Sequence, residues 1–174
     1  WADKNKIKKF VSLEAKTTIG SDFGQFQLSH DPSAQTFLQK TQTSSKELKN
    51  LFDAIVNYIN SHCPIPAGQQ SGELLKMGSA QLEEINFIKP LGEVVEDYYK
   101  EKSVDYIVVS DAVYSTGTPA ANKSIPKFSD SVSGGYVRIR RKCHGKSYST
   151  TAAIKFGSIE TSINYYDVLN QMFP

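Results

Sequence analysis

Hydrophobic and polar positions alternate along the first thirty residues, as they do in strands with one buried face. The alternation covers residues 6–16 and residues 19–28, and Gly20-Ser21-Asp22 supplies a turn between the two runs. We therefore predict a β-hairpin in this part of the chain. The first run is also predicted to be a buried strand, whose apolar face consists of Val11, Leu13 and Ala15.

Helical spacing replaces this alternation in the middle of the chain. Apolar residues recur every three or four positions over residues 48–59, and Ser44 and Glu47 are spaced for a capping box at the start of that helix. Residues 69–78 are predicted as a loop or a short helix. Two more helical segments are predicted over residues 79–88 and 90–101, because proline is tolerated at the start of a helix but not inside it.

The pattern returns to strands in the last third of the chain. The uninterrupted apolar run over residues 106–109 predicts a strand at the centre of a sheet. Residues 136–143 and 147–156 predict an antiparallel pair, and residues 163–173 predict a closing helix. The order of strands, helices, strands and helix indicates an α+β or mixed α/β fold around one sheet. A chain of 174 residues is long enough for one well-buried core, so residues 1–174 are interpreted as a single domain.

Composition says more about the cellular compartment of the protein than about its activity. No run of about 18 apolar residues is present, so we expect no membrane partner. Two cysteines, Cys63 and Cys143, are too few for a disulfide framework, which favours a cytoplasmic protein with reduced thiols. Because the chain begins with Trp1 rather than Met, we expect a fragment, a processed product or a chain with an unlisted leader, and in the first case the domain would be incomplete at its N-terminus.

Basic residues concentrate near the C-terminal end. The net charge is only +2, but the chain carries no acidic residue between Asp130 and Glu160. Arg138 and Arg140 alternate with apolar residues, so their guanidinium groups share one strand face, from which they can contact phosphates or guanine edges. The alternative is an ordinary solvated strand face. The predicted DNA-binding residues are Arg138, Arg140, Arg141, Lys142 and Lys146.

Glu14 and Lys16 are the candidate chemical groups of the first strand. They lie two positions apart, so they project from the same face, and Asp3 lies eleven residues before Glu14. Two carboxylates and a lysine can hold a divalent metal ion and a water beside a phosphodiester. The same spacing also occurs on ordinary solvated strands, so the pattern by itself leaves both interpretations open.

Asp3 followed by Glu14-Ala15-Lys16 resembles the signature of the PD-(D/E)xK nuclease superfamily, in particular that of type II restriction endonucleases, with Ala2 at the position of the signature proline. Residues 11–17 are similar to the central catalytic strand of these enzymes. Residues 138–155 are similar to their DNA-facing C-terminal part. The resemblance implies a restriction-endonuclease-like central mixed sheet flanked by helices. It also implies Mg²⁺-dependent hydrolysis of double-stranded DNA at a specific site.

The resemblance further implies roles for individual residues. Asp3, Glu14 and Lys16 would be the catalytic residues, and Asp3, Glu14 and the carbonyl of Ala15 would bind Mg²⁺. Gln25 and Gln27, on the next predicted strand, would orient the cleaved phosphate or the waters of the metal ion, or would be plain surface residues. A homodimer is expected, because cutting both strands at a two-fold site calls for two active sites.

Two other classes of function stay open on the sequence alone. The first is a non-catalytic nucleic-acid-binding module, in which the basic strands hold the nucleic acid and Glu14 and Lys16 form a surface pair. The second is a protein interaction domain, in which the tyrosines near residues 98 and 165 are packing or interface aromatics. A metal-dependent cleavage assay separates the nuclease from both alternatives, and salt-dependent DNA binding separates the two alternatives from each other.

Overall fold

The computed structural model describes residues 11–31, 33–34, 36–62, 73–77, 89–117, 125–144, 147–160 and 163–172, with the backbone alone for residues 73–77, 142–144, 147–148, 169 and 171–172. The described helices are α1 (Lys46–His62), α2 (Leu91–Glu101), α3 (Phe128–Ser131) and α4 (Tyr165–Met172). The described strands are β1 (Leu13–Lys16), β2 (Phe23–Asp31), β3 (Thr36–Gln39), β4 (Glu73–Met77), β5 (Tyr106–Val109), β6 (Ala112–Ser115), β7 (Val132–Ser133), β8 (Tyr136–His144), β9 (Ser147–Lys155) and β10 (Ser158–Ile159).

The fold is a mixed α+β arrangement, as the order of elements predicted. Its strands are divided among several sheets rather than gathered in one. A five-stranded antiparallel sheet has the order β3-β2-β9-β8-β4, and a three-stranded sheet has the order β1-β5-β6. In the second sheet β1 runs parallel to β5, and β6 runs antiparallel to β5. A short pair of β10 with β7 completes the described sheets.

The predicted N-terminal hairpin is wrong. β1 pairs with β5, with Glu14 opposite Ile107, whereas β2 pairs with β3 and β9 in the other sheet. The segment after Lys16 therefore connects two sheets. Alternation identifies which residues form a strand, but it does not identify the partner strand. β1 is also less buried than predicted, because Leu13 is 41% exposed and Ala15 is exposed as well.

One hydrophobic cluster joins the inner face of the five-stranded sheet to the buried faces of α1 and α2. The rings of Phe26 on β2 and Phe52 on α1 lie 4.4 Å apart between their centroids. All four residues of β5 are buried at the centre of its sheet, which confirms the prediction from its apolar run. Within the part of the chain that the structure describes, no helix is long and apolar enough to cross a membrane.

Helix boundaries follow the sequence signals with one correction. Ser45, one residue after the predicted cap, accepts a hydrogen bond at its Oγ from the backbone N–H of Leu48 at 3.2 Å. α2 begins after Pro90 as predicted, and α4 lies within the predicted closing helix. The segment predicted as loop or short helix contains the strand β4, and the helix predicted over residues 79–88 lies outside the described residues.

Candidate active site

Glu14 and Lys16 lie side by side on β1, as their spacing predicted. Lys16 Nζ is 2.7 Å from Glu14 Oε1, and the side chains are 19% and 34% exposed, respectively. Both line a cleft of about 360 Å³ between β1, the start of β2 and the end of α2, which we call the Glu14 cleft. The cleft also contains residues from distant parts of the sequence, including Asp22, Tyr98, Tyr99 and Lys102.

Tyr99 connects α2 to the charged pair. Its hydroxyl donates a hydrogen bond to Glu14 Oε1 at 3.4 Å, and Lys16 Nζ lies 5.9 Å from the centre of its ring. Burial raises the pKa of the Tyr99 hydroxyl far above its ordinary value, and the negative charge of Glu14 raises it further. Tyr99 therefore stays protonated and remains a hydrogen-bond donor to the carboxylate.

The carbonyl of Ala15 points away from the sheet partner of β1. The carbonyls of Ser12 and Lys16 accept hydrogen bonds from the backbone of Tyr106 and Ser110. Because successive carbonyls of a strand point in opposite directions, the carbonyl of Ala15 is directed to the other edge of β1. It therefore takes no part in the pairing with β5.

The metal ligands implied by the resemblance are placed only in part. The carboxylate of Glu14 and the carbonyl of Ala15 are hard oxygen donors of the kind that Mg²⁺ prefers, so these two groups fit that ion chemically. Asp3 lies outside the described residues. Among the residues that are described, no group of three or more His, Cys, Asp or Glu could hold a metal ion.

Asp22 anchors the connection between the two sheets. Its carboxylate accepts hydrogen bonds from Arg138 Nη2 at 2.8 and 3.1 Å and lies 3.1 Å from Lys155 Nζ. Lys155 is only 7% exposed and also donates a hydrogen bond to the carbonyl of Gly20. These contacts fix the segment that follows β1 on the five-stranded sheet, and they neutralise Asp22.

A β-bulge shapes the wall of the Glu14 cleft that β2 provides. The pairing of β2 with β9 shifts register between Phe23 and Gln25, and Gly24 adopts a φ of 77°. A side chain would be strained at this φ, which explains the glycine. The hydroxyl of Tyr98 donates a hydrogen bond to the carbonyl of Gln25 at 3.2 Å. Bulges redirect side chains beside functional sites, and here the bulge presents the exposed Gln25 to the cleft.

One face of the five-stranded sheet is polar and faces away from the core. Across the neighbouring strands β8, β9 and β2, Arg138 is in register with Ala153 and Gln25. In the same way, Arg140 is in register with Thr151 and Gln27. We call this surface the polar sheet face; its members are Gln25, Gln27, Arg138, Arg140, Ser149, Thr151 and Ala153. Val137 and Ile139 of the same strand are 0% exposed, so the predicted alternation of β8 is confirmed.

The two arginines of this face differ in their surroundings. Arg138 is held by Asp22, whereas Arg140 is exposed. They line a cleft of about 240 Å³ that also contains Asp22 and Gln25. Asp22 and Gln25 line the Glu14 cleft too, so the two depressions are adjacent.

Arg141 is placed differently from the prediction. It is 2% exposed, and its guanidinium carbon lies 5.3 Å from the centre of the Phe37 ring. Arg141 shares its strand parity with Ile139, so it points to the core side of β8. This burial argues against the predicted DNA contact. Lys142 belongs to β8 but its side chain is not described, and Lys146 lies outside the described residues.

The sequence missed the residues that reach the site from other elements. Asp22 was interpreted as part of a hairpin turn, yet its partner Arg138 is 116 positions away. Tyr99 was interpreted as a packing or interface aromatic, and it is separated from Glu14 by 85 positions. No local sequence pattern predicts these two contacts, because only the tertiary fold brings the elements together.

Comparison with solved structures finds a similarity to an endonuclease. No family model matches the chain, and no curated protein matches it. A solved structure of HhaI endonuclease in complex with DNA is similar to this chain with a TM-score of 0.42 and 14% sequence identity, over 98% of this chain and 90% of that chain. At this TM-score and identity the comparison assigns no role to any residue of this chain.

Proposed function

We propose that this protein is a Mg²⁺-dependent endonuclease that hydrolyses phosphodiester bonds of double-stranded DNA at a specific site, as type II restriction enzymes do. One observation carries the proposal. The Glu14–Lys16 pair lies in a cleft that shares Asp22 and Gln25 with the neighbouring cleft on the polar sheet face. Groups suited to phosphodiester hydrolysis therefore adjoin a surface suited to a polyanion.

The chemistry follows from the charges of the pair. Glu14 and the carbonyl of Ala15, together with Asp3, would hold the metal ion, and bound Mg²⁺ would supply Lewis-acid stabilisation of the phosphate oxygens. Lys16 would donate hydrogen bonds to the scissile phosphate and would offset the negative charge that grows there as water attacks. Its side chain is only 19% exposed, so solvent screens this interaction less than it would at an open surface.

The assembly follows from the proposed reaction. We propose a homodimer, because cleavage of both strands at a two-fold symmetric site requires one active site for each strand. Arg138 and Arg140 would then hold the backbone of the same DNA segment that enters the Glu14 cleft of that protomer.

The decisive experiment is Mg²⁺-dependent cleavage of long DNA of mixed sequence, which contains sites for an enzyme of unknown specificity. The Glu14→Gln variant is expected to cleave on the order of 100-fold more slowly or not at all, because the amide keeps the shape of the side chain but loses its negative charge. DNA binding in Ca²⁺ should persist. The matched control is Glu93→Gln, which changes a carboxylate on α2 whose contact is Lys89 at 3.8 Å.

The other outcomes identify the other classes of function. Wild-type cleavage by a folded Glu14→Gln protein would remove Glu14 from the mechanism. DNA binding by the wild type without cleavage would indicate a non-catalytic nucleic-acid-binding module. The absence of both activities would indicate a protein interaction domain.

A further inference from the structure

A third depression lies on the side of Gln25 and Gln27 that is away from Arg138 and Arg140. It has a volume of about 560 Å³ and is lined by β2, by the residues after β3 and by the end of α2. Its two lysines are Lys40 and Lys102, and we call it the lysine groove. Gln25, Tyr98 and Lys102 line both this groove and the Glu14 cleft, so the two are adjacent.

Both lysines are positioned by neighbouring groups. The backbone N–H of Lys40 donates a hydrogen bond to the carbonyl of Gln27 at 3.1 Å, and Thr41 Oγ1 accepts one from the N–H of Gln27 at 3.0 Å. Lys102 Nζ lies 4.2 Å from the centre of the Tyr98 ring and donates to its hydroxyl at 2.6 Å. The ring holds the ammonium at the groove while its other protons stay available to a ligand.

Lys40 and Lys102 form no ion pairs among the described residues, whereas Lys16 and Lys155 each pair with a carboxylate. The acidic residue of the groove, Glu101, instead accepts hydrogen bonds from Thr43 and Ser44. The groove therefore presents two exposed cations and one ionised carboxylate, and its net charge is positive. That arrangement favours an anionic ligand over an apolar or cationic one.

Strand register aligns the groove with the arginines. Across the sheet, Arg140 is opposite Thr151, and Thr151 is opposite Gln27. On the other side of Gln27, the backbone N–H of Lys40 donates a hydrogen bond to the Gln27 carbonyl. Four adjacent strand positions span about 14 Å at the usual spacing between strands. At an axial rise of about 3.4 Å per base pair, that distance corresponds to roughly four base pairs measured along the DNA axis. Cations thus occupy both ends of the row, with amide and hydroxyl groups between them.

We propose that Lys40 and Lys102 bind backbone phosphates on the flank opposite Arg138 and Arg140. The DNA backbone then crosses the five-stranded sheet at a right angle to its strands and passes over Gln25 beside the Glu14 cleft. The inference rests on the DNA binding in the proposed function, and it adds a binding surface outside the basic C-terminal strands.

The test is equilibrium binding to a duplex of mixed sequence at several salt concentrations, with Ca²⁺ in place of Mg²⁺ so that the DNA stays intact. The double variant Lys40→Ala/Lys102→Ala is compared with Lys46→Ala/Lys49→Ala. The control removes the same charge from exposed positions of α1 that line none of the three depressions. Lys102→Met is a further variant, because it keeps an aliphatic side chain on Tyr98 and removes only the charge.

Each lost phosphate contact should lower the salt slope by about 0.9 and should weaken binding on the order of tenfold near 0.1 M salt. The groove variants should show this change and the α1 control should not. Equal weakening in the control would reduce the effect to net charge and overturn the inference. An unchanged slope in folded groove variants would also overturn it, provided that the wild type binds DNA. If the wild type does not bind, the proposed function itself fails.

Discussion

Lys16 neutralises Glu14 in the free protein, with 2.7 Å between Nζ and Oε1. A partly exposed ion pair of this kind contributes little to stability, so it can open at small cost. A divalent cation would take the place of the Lys16 ammonium beside the Glu14 carboxylate. A DNA phosphate would take the place of that carboxylate beside the ammonium. We therefore expect the metal ion and DNA to bind cooperatively at this pair. The metal ion frees Lys16 for a phosphate, and the phosphate frees Glu14 for the metal ion.

Tyr99 is the residue from outside β1 that contacts Glu14 by a hydrogen bond. Tyr99→Phe removes only the hydroxyl, and we expect cleavage to fall about threefold to tenfold, the usual effect of losing one hydrogen bond of about 1 kcal/mol. The Mg²⁺ concentration for half-maximal cleavage should rise, because the carboxylate loses a group that orients it. Kinetics at several Mg²⁺ concentrations would measure both effects.

The matched control is Tyr114→Phe. Tyr114 is 0% exposed and its hydroxyl donates a hydrogen bond to the carbonyl of Glu160 at 2.7 Å, away from the three depressions. This variant should lose stability and keep its Mg²⁺ dependence. The same Mg²⁺ dependence in wild type and Tyr99→Phe would show that Tyr99 does not position Glu14.

At the scale of elements, one carboxylate ties the start of α1 to the end of α2. Glu101 accepts hydrogen bonds from Thr43 Oγ1 at 2.6 Å and from the N–H and hydroxyl of Ser44 at 2.5 and 2.7 Å. The hydrogen bonds from Thr43 and Ser44 lower the pKa of Glu101 to about 2. Thr43 and Glu101 also line the lysine groove, so the contact that holds the two helices together also shapes this part of the surface.

This lowered pKa predicts a pH-dependent contribution to stability. The folded value lies near 2 and the ordinary value is 4.5, so the ionised Glu101 stabilises the fold fully above pH 4.5 and progressively less as the pH falls toward about 2. Glu101→Gln should therefore unfold more easily than the wild type at neutral pH, and the difference should shrink over that interval. Urea unfolding at a series of pH values measures it.

Glu93→Gln is again the control, because Glu93 contacts only Lys89, at 3.8 Å, among the described ion pairs. Its difference from the wild type should be smaller at neutral pH. A Glu101→Gln difference that stays constant down to pH 2 would contradict the assigned contacts.

At the scale of the whole molecule, candidate chemistry and candidate DNA contacts lie on different sheets. Glu14 and Lys16 belong to the three-stranded sheet, and the arginines belong to the five-stranded one. Asp22 connects the two through its contacts with Arg138 and Lys155. This ionic contact holds the connecting segment, so we expect the fold to fix the distance between the candidate DNA contacts and the Glu14–Lys16 pair.

The difference between the two arginines leads to a prediction about binding. Arg140→Ala should flatten the salt dependence of DNA binding by about 0.9 if Arg140 contacts one phosphate. Arg138→Ala should act less on the slope, because Asp22 already compensates its charge. If either arginine binds a guanine, its loss should cost about 1–3 kcal/mol on the specific duplex and little on a random one.

Titrations in Ca²⁺ with specific and random duplexes, at several salt concentrations, distinguish these cases. Unchanged affinity and unchanged slope for both variants would exclude β8 from the DNA interface. A larger change in slope for Arg138→Ala than for Arg140→Ala would contradict the role given to Asp22.

The sequence alone determined the properties that depend on local periodicity. The shared face of Glu14 and Lys16 and the outward position of Arg138 and Arg140 follow from the two-residue repeat of a strand. The start of α2 after Pro90 and the burial of β5 follow from equally local signals. The inward position of Arg141 could also have been predicted, because it shares the parity of Ile139.

Only the tertiary structure decided which elements meet. The pairing of β1 with β5 instead of β2, the hydrogen bond from Tyr99 to Glu14 and the ion pair of Asp22 with Arg138 all join distant positions. Periodicity carries no information about such partners, because the same alternating strand satisfies its backbone hydrogen bonds beside many others. The choice depends on packing and charge pairing summed over the folded chain, and that sum places Glu14 and Lys16 beside the polar sheet face.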